Sequence, residues 1–331
     1  MKAVMLEEYG PPEVLRLKEI EKPVPKENEV LIKVFATSVG YGDLLARNFR
    51  IVTPRKFNMP FLFWFMAKIF FGFKKPRISI LGSEFSGEVD SVGKNVNGFN
   101  KGDQVFGYLG QNMGAYAEYI CMAEKGCITI KPANMTYEEA AVIPMGAIMA
   151  LNLLKKANII KGQKVLINGA SGGIGSAAVQ IAKYFGAEVT GICSAPRLDY
   201  IKSLGADKMI DYTKEDFTQN GEIYDLIFDV LGRVSFSQCK KSLSQYGRLQ
   251  YASFKFKQLM QMLGTSMSNK KVVCAIAPGS KEDLIQVKEL IEAGKIKSII
   301  DRSFPLEQAS DAHRYAEEGK RKGSIVVRII K

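Results

Sequence analysis

Short apolar runs broken by turn residues fill the first 130 positions. Val30-Leu31-Ile32-Lys33-Val34-Phe35-Ala36 is rich in β-branched and apolar types, and residues 82–93 interleave short apolar groups with glycine. Gly102-Asp103-Gln104-Val105-Phe106-Gly107 has the form of a turn that opens a strand. Pro23, Pro25, Gly98 and Gly102 punctuate the region. The pattern predicts an irregular barrel rather than a helical unit.

The texture changes at Thr136. Thr136-Tyr137-Glu138-Glu139 is a capping-box pattern opening the apolar run 140–154. Strand-like and helix-like segments then alternate. The strands predicted are 164–168, 188–193, 208–210, 224–230 and 248–252, with helices at 175–185, 197–204 and 236–243. Such alternation predicts a parallel sheet with crossover helices. Beyond Gly279 the pattern gives helices at 281–293 and 306–319 and a terminal strand at 324–330. No internal repeat or low-complexity linker interrupts the chain.

The 331 residues suggest two domains at roughly 150 residues each. An apolar share of 47% supports a sizeable core. Five cysteines without a C-x-x-C pair exclude a disulfide framework and favour a reducing compartment, the cytoplasm. A single histidine excludes most zinc hydrolases. The net charge of +12 is compatible with nucleic acid, an anionic membrane or a polyanionic ligand. The cations are spread along the whole chain without a nucleic-acid-binding module, so no nucleic-acid partner is expected. The N-terminus shows no apolar signal segment, and the longest near-apolar run, 61–73, is shorter than the roughly 20 residues of a spanning helix.

The richest stretch is Val165-Leu166-Ile167-Asn168-Gly169-Ala170-Ser171-Gly172-Gly173-Ile174-Gly175. Strand, glycine turn and helix follow in the order that the dinucleotide fingerprint demands. Ala170 would permit the tight turn, Gly172 a close approach to pyrophosphate, and Gly175 tight helix–strand packing. Ser171, Gly173 and Ile174 complete a cradle at a helix N-terminus, which attracts phosphate. A tight βα turn without a ligand is the alternative. An NAD site places an acid about 20 residues on. Here the second strand ends at Ile192-Cys193, and Ser194 and Arg197 follow, a hydroxyl and a guanidinium suited to a 2′-phosphate. Tyr212 could close that pocket. NADP(H) is the cofactor these residues favour.

At these residues the chain resembles the zinc-independent branch of the medium-chain dehydrogenase/reductase superfamily, close to quinone oxidoreductase and zeta-crystallin. The likeness runs through Gly162, Gln163, Leu166, Ala170 to Gly175, Gln180 and Lys183. It continues through Ala36-Thr37-Ser38 before Asp43, Leu81-Gly82 with Glu84, Gly114 to Tyr119, and Asp311-Ala312-His313-Arg314. The resemblance implies an α/β protein with a GroES-like β-barrel catalytic domain, a Rossmann doubly wound parallel sheet domain and a cleft between them. The boundaries expected are 1–126 for the barrel, 127–279 for the Rossmann domain and 280–331 for the return to the barrel. A homodimer through the last Rossmann strand, 271–276, is also implied.

Zinc-dependent relatives carry cysteine where this chain has Gly40, and a His-Glu pair where it has Ser83-Glu84. No metal site is therefore expected. Without a Lewis acid, oxidising a simple alcohol is hard, whereas reducing a quinone or activated C=C asks mainly for positioning and hydrogen-bond donors. The reading is an NADPH-dependent reductase of a small apolar carbonyl-containing substrate: a quinone, enone or 2-alkenal. A zinc-less alcohol dehydrogenase and a non-enzymatic NADPH-binding protein are the alternatives. Tyr41 lies in the family's active-site loop as a candidate donor, and an amphipathic packing residue is its bland reading. Gly232 and Ser253, after the fourth and fifth strands, should border the ribose and nicotinamide by the switch-point rule.

Two features stand apart. Residues 60–73, Pro-Phe-Leu-Phe-Trp-Phe-Met-Ala-Lys-Ile-Phe-Phe-Gly-Phe, sit where the family carries a short loop over the substrate cleft, flanked by Arg55, Lys56, Lys74, Lys75 and Arg77. A buried helix, a lid over an apolar pocket and an interfacial helix on an anionic membrane compete for it, with the lid ranked first and the membrane last. His313, beside Ala309, Ala312 and Ala316, reads as structural.

Overall fold

The structure, a computed structural model, describes residues 1–330. The chain divides into two compact units. The first takes residues 1–52, 67–145 and the chain from Gly279 onward; the second takes 53–66 and 146–278.

The first unit is built on a seven-stranded sheet. Its order is Ile300–Pro305, Ser324–Arg328, Glu29–Ser38, Glu84–Val92, Gln104–Tyr108 and Ile128–Ile130, with Tyr119–Ala123 also pairing with Glu29–Ser38. Strand Glu29–Ser38 carries the architecture because it pairs on both edges. Val30, Ile32 and Val34 point inward with Phe85, Val89, Val105 and Ile128 into one core. A second core joins Leu6, Leu81, Tyr116, Leu306 and Ala312. Where the sequence pattern began the second domain at 127, the chain stays with this unit to Met145. Ile128–Ile130 pairs with Val105 to Gly107, and Tyr137 stacks on Phe35 at 4.4 Å. No local pattern signals that residues 53–66 belong with the second unit.

The second unit is the doubly wound parallel sheet. Its strand order is Lys208–Asp211, Glu188–Cys193, Lys164–Asn168, Tyr224–Asp229, Leu243–Tyr251 and Lys271–Cys274, and every pair is parallel. Val165, Leu166 and Ile167 are fully buried, as a strand covered on both faces must be. Helix Gly173–Tyr184 buries Ala177, Ala178, Ile181 and Ala182. The direction of travel reverses beside Lys164–Asn168, so the switch point lies at the carboxyl ends of that strand and Tyr224–Asp229.

Phe256–Thr265 is helical where no helix was predicted. Residues 61–71 form a helix, and of the three readings of this segment the buried helix fails: Phe61 and Leu62 are each 64% exposed.

Candidate functional site

The glycine turn is shaped by two close approaches. Gly169 has φ +87°, so it is this residue, rather than Ala170, that makes the left-handed turn. A Cβ there would also meet Leu231 Cγ at 2.9 Å. Ala170 is fully buried, and its N–H donates to Ile192 O at 3.0 Å. At Gly175 a Cβ would lie 2.1 Å from Gly169 O, so only glycine lets the helix sit this close to the strand. Gly172 and Gly173 differ. A Cβ at Gly173 would meet nothing within 4 Å, and one at Gly172 only Gly169 O at 3.6 Å. Protein packing does not demand glycine at either position. The open space above the first turn fits a phosphate drawn up to the backbone, where the first N–H groups of a helix lack intrahelical partners.

The tip of the second strand meets this turn. Arg197 Nη1 donates to Ser171 Oγ at 3.3 Å, so the guanidinium lies against the glycine turn. Its backbone N–H donates to Ser194 O at 2.9 Å, which ties both residues into one short turn. Tyr212 stands at the next strand tip, 64% exposed, with its N–H donating to Cys193 O at 3.2 Å. Asp211, in register with Cys193, is an acid near this tip that the sequence reading passed over. Its Oδ1 accepts from the Thr213 N–H and hydroxyl, and these bonds hold its carboxyl below the usual range.

Gly232 and Ser253 also come together. Gly232 has φ +63°, and a Cβ on it would lie 2.1 Å from Ser253 O. Asn58 joins them: its Nδ2 donates to Leu231 O and to Ser253 Oγ, both at 2.9 Å, and Ser253 Oγ–H donates to Asn58 O at 2.8 Å. Beneath them Asp229, fully buried, accepts from Asn168 Nδ2 and from the N–H groups of Leu231 and Val234. Burial pushes its carboxyl above the usual range. Asn58 carried no local sequence signal, because its partners lie 173 and 195 residues away.

Tyr41 belongs to the first unit and is 61% exposed at the start of helix Tyr41–Arg47. The preceding turn is fixed by the buried Asp43, whose Oδ2 accepts from Gly40 N–H at 2.8 Å and Oδ1 from Gly82 N–H at 2.9 Å. Burial raises this carboxyl to about 6. Next to Gly82, Glu84 is also buried; Ser38 Oγ–H donates to its Oε2 at 2.5 Å and Met145 N–H to its Oε1 at 2.8 Å. Burial pushes it to about 7 against both hydrogen bonds, and the Asp43 charge adds to the rise. His313 lies fully buried between Arg47 and Tyr116. Arg47 Nη1 can only donate, so Nδ1 accepts at 3.1 Å and the ring proton sits on Nε2, 2.9 Å from Tyr116 Oη. Burial, reinforced by the Arg47 charge, depresses its pKa to about 3, and the ring is neutral.

Two sequence profiles match the chain. One, described as alcohol dehydrogenase GroES-like domain, covers residues 26–132; the other, described as zinc-binding dehydrogenase, covers 204–327. A 2-methylene-furan-3-one reductase of Solanum lycopersicum is 30% identical, across 99% of this chain and 79% of its own. A chloroplastic quinone oxidoreductase of Triphysaria versicolor is 31% identical, across 99% of this chain and 98% of its own. The chain belongs to the medium-chain dehydrogenase/reductase superfamily, in its zinc-independent quinone oxidoreductase branch. A solved quinone oxidoreductase of Coxiella burnetii has the same fold, with TM-score 0.83 at 28% identity over 100% of this chain and 99% of that one.

For a member of this superfamily the residues do not fit a catalytic zinc. Of Gly40, Ser83 and Glu84, the only ligand type is Glu84, and both of its oxygens already accept hydrogen bonds. Among the described residues no three His, Cys, Asp or Glu side chains group to hold a metal ion. No described helix is long and apolar enough to cross a membrane.

Proposed function

We propose that this chain is an NADPH-dependent, zinc-independent reductase of quinones or activated C=C bonds such as enones and 2-alkenals. One observation carries the cofactor choice: Arg197 lies against Ser171 at the lip of an open glycine turn. The strand tip beside it ends in Cys193-Ser194 rather than an acid. A guanidinium there suits the 2′-phosphate, while the N-terminal turn of helix Gly173–Tyr184 would hold the pyrophosphate.

The bound dinucleotide would supply hydride. The chain's own residues position, exclude and donate. Gly175 sets the height of the phosphate-binding turn, and Arg197 with Ser194 selects the phosphorylated ribose. Gly232 and Ser253, locked by Asn58, border the reactive end. Tyr41, on a turn fixed by Asp43, offers a hydroxyl to the oxygen on which charge develops. The reaction class draws on the tomato furanone reductase and the Triphysaria quinone oxidoreductase, whose names state those substrates.

The same reading includes a homodimer and a reducing, cytoplasmic setting. Lys271–Cys274 is an edge strand, the helix before it exposes Phe256, Met260 and Leu263 at helical spacing, and Met267, just beyond its end, is exposed as well. All five cysteines are free. The test is NADPH and NADH oxidation against a panel of quinones, enones and 2-alkenals, with a chelator present. NADPH-preferring turnover of at least one class is expected. NADPH binding without turnover of any class would overturn the assignment.

A further inference from the structure

Helix Phe61–Phe71 is built inside out. On a surface helix the apolar stripe faces the core and the charges face water. Here Phe61, Leu62, Phe63, Phe65, Met66, Ile69 and Phe70 are the exposed side chains, and their spacing gathers them on about one half of the helix. The other half carries Trp64, Ala67, Lys68 and Phe71, all buried or half-buried. The helix's only cation, Lys68, points inward, with Nζ donating to Phe49 O at 2.8 Å and Arg50 O at 3.0 Å. Phe71 packs its ring 4.8 Å from that of Phe49. The C-terminal end is pinned by Tyr9, whose hydroxyl donates to Phe71 O at 2.6 Å, and by Arg77, whose Nη1 donates to Ile69 O at 2.8 Å. The apolar face is thus held outward by specific contacts on the opposite side.

The charge around it is one-sided. Residues 44–83 contain no Asp or Glu, yet hold Arg47, Arg50, Arg55, Lys56, Lys68, Lys74, Lys75 and Arg77, eight cations in a chain whose net charge is +12. Six of them, Arg50, Arg55, Lys56, Lys74, Lys75 and Arg77, are exposed. We infer that helix Phe61–Phe71 and the cations flanking it form a docking surface for an anionic lipid bilayer, on which the helix lies in the interfacial plane. Contiguous exposed apolar surface marks an interaction site. An apolar face flanked in sequence by exposed cations, with no acid between residues 44 and 83, matches the boundary between acyl chains and anionic headgroups. A second copy of the chain is a poor occupant, because self-association would bring two acid-free cationic segments together. A lid over a small uncharged substrate would account for the apolar face but not for the missing acids.

The chain carries its own reporter, since Trp64 is its only tryptophan. The full-length protein is sedimented at low salt with vesicles of phosphatidylcholine alone and of phosphatidylcholine with phosphatidylserine. Binding is expected to the anionic vesicles, with a blue shift of Trp64 emission, and to fall as salt screens the surface. Lys74→Gln with Lys75→Gln should weaken vesicle binding about 30-fold, at about fivefold per cation. Phe61→Ser with Leu62→Ser and Phe65→Ser should weaken it by about 100-fold or more. All five positions are exposed, and far-UV circular dichroism checks that both variants fold. Equal binding to neutral and anionic vesicles, or no binding to either, overturns the inference. In the second case, a Trp64 shift on adding NADPH and an enone would make the helix a lid, and a shift with protein concentration would make it a self-association surface.

Discussion

Replacing Glu84 by Gln should change how stability depends on pH more than it changes stability itself. Glu84 is 3% exposed, and burial pushes its carboxyl from 4.5 to about 7. A carboxyl whose pKa is raised by folding is best tolerated protonated. Its contribution is therefore fully present below pH 4.5 and is lost as pH rises through about 7. That rise corresponds to about 3 kcal/mol between those limits. Gln keeps the shape: its amide oxygen can accept from Met145 N–H, and its NH₂ can donate to the Ser38 hydroxyl, which rotates to receive it. The variant should consequently gain on the parent by about 2 to 3 kcal/mol between pH 5 and pH 8. Asp43, raised to about 6, leaves a residual slope of the same sign in both proteins. Urea unfolding followed by far-UV circular dichroism, at matched ionic strength across that range, reads the difference. A gap between variant and parent that does not widen with pH would refute the assignment of a buried, reluctantly ionised Glu84.

Arg197→Glu should raise the KM for NADPH by about 10- to 100-fold, the worth of a charge-assisted bond to phosphate, and leave the KM for NADH nearly unchanged. Steady-state kinetics with both cofactors checks this; an unaltered preference would remove Arg197 from the 2′-phosphate site. Gly175→Ala puts a Cβ 2.1 Å from Gly169 O, which forces helix and turn apart. It should cost about 1 to 3 kcal/mol of stability, as overpacking does, and weaken NADPH binding measured by fluorescence titration. Gly173→Ala, whose Cβ meets nothing within 4 Å, should leave stability intact and weaken binding alone.

The second unit was legible because its signals are local. Strands Lys164–Asn168 and Glu188–Cys193 fall on the predicted residues, and the turn between strand and helix was found from its glycines. Even there, the left-handed position proved to be Gly169 rather than Ala170, a backbone distinction that composition does not encode. Helix Phe256–Thr265 was missed although its apolar spacing is helical. The rest depended on contacts distant in sequence. Asn58 reaches Ser253 across 195 residues, and Asp43 reaches Gly82 across 39. Nothing local could show that Glu84 would be buried and reluctant to ionise. The aromatic run was visible from the start, but its orientation was not. That orientation depends on Lys68 reaching back to the carbonyls of Phe49 and Arg50, which no local pattern encodes.

The central claim, hydride delivery to an activated C=C bond or quinone without metal assistance, meets its most direct test in isotope transfer. NADPH carrying deuterium at the reactive C4 position is turned over with an enone, and the product is examined by mass spectrometry and proton NMR. A saturated ketone with one deuterium on the β-carbon is expected. Deuterium on the carbonyl carbon, giving an allylic alcohol, would contradict it and make the chain a carbonyl reductase instead.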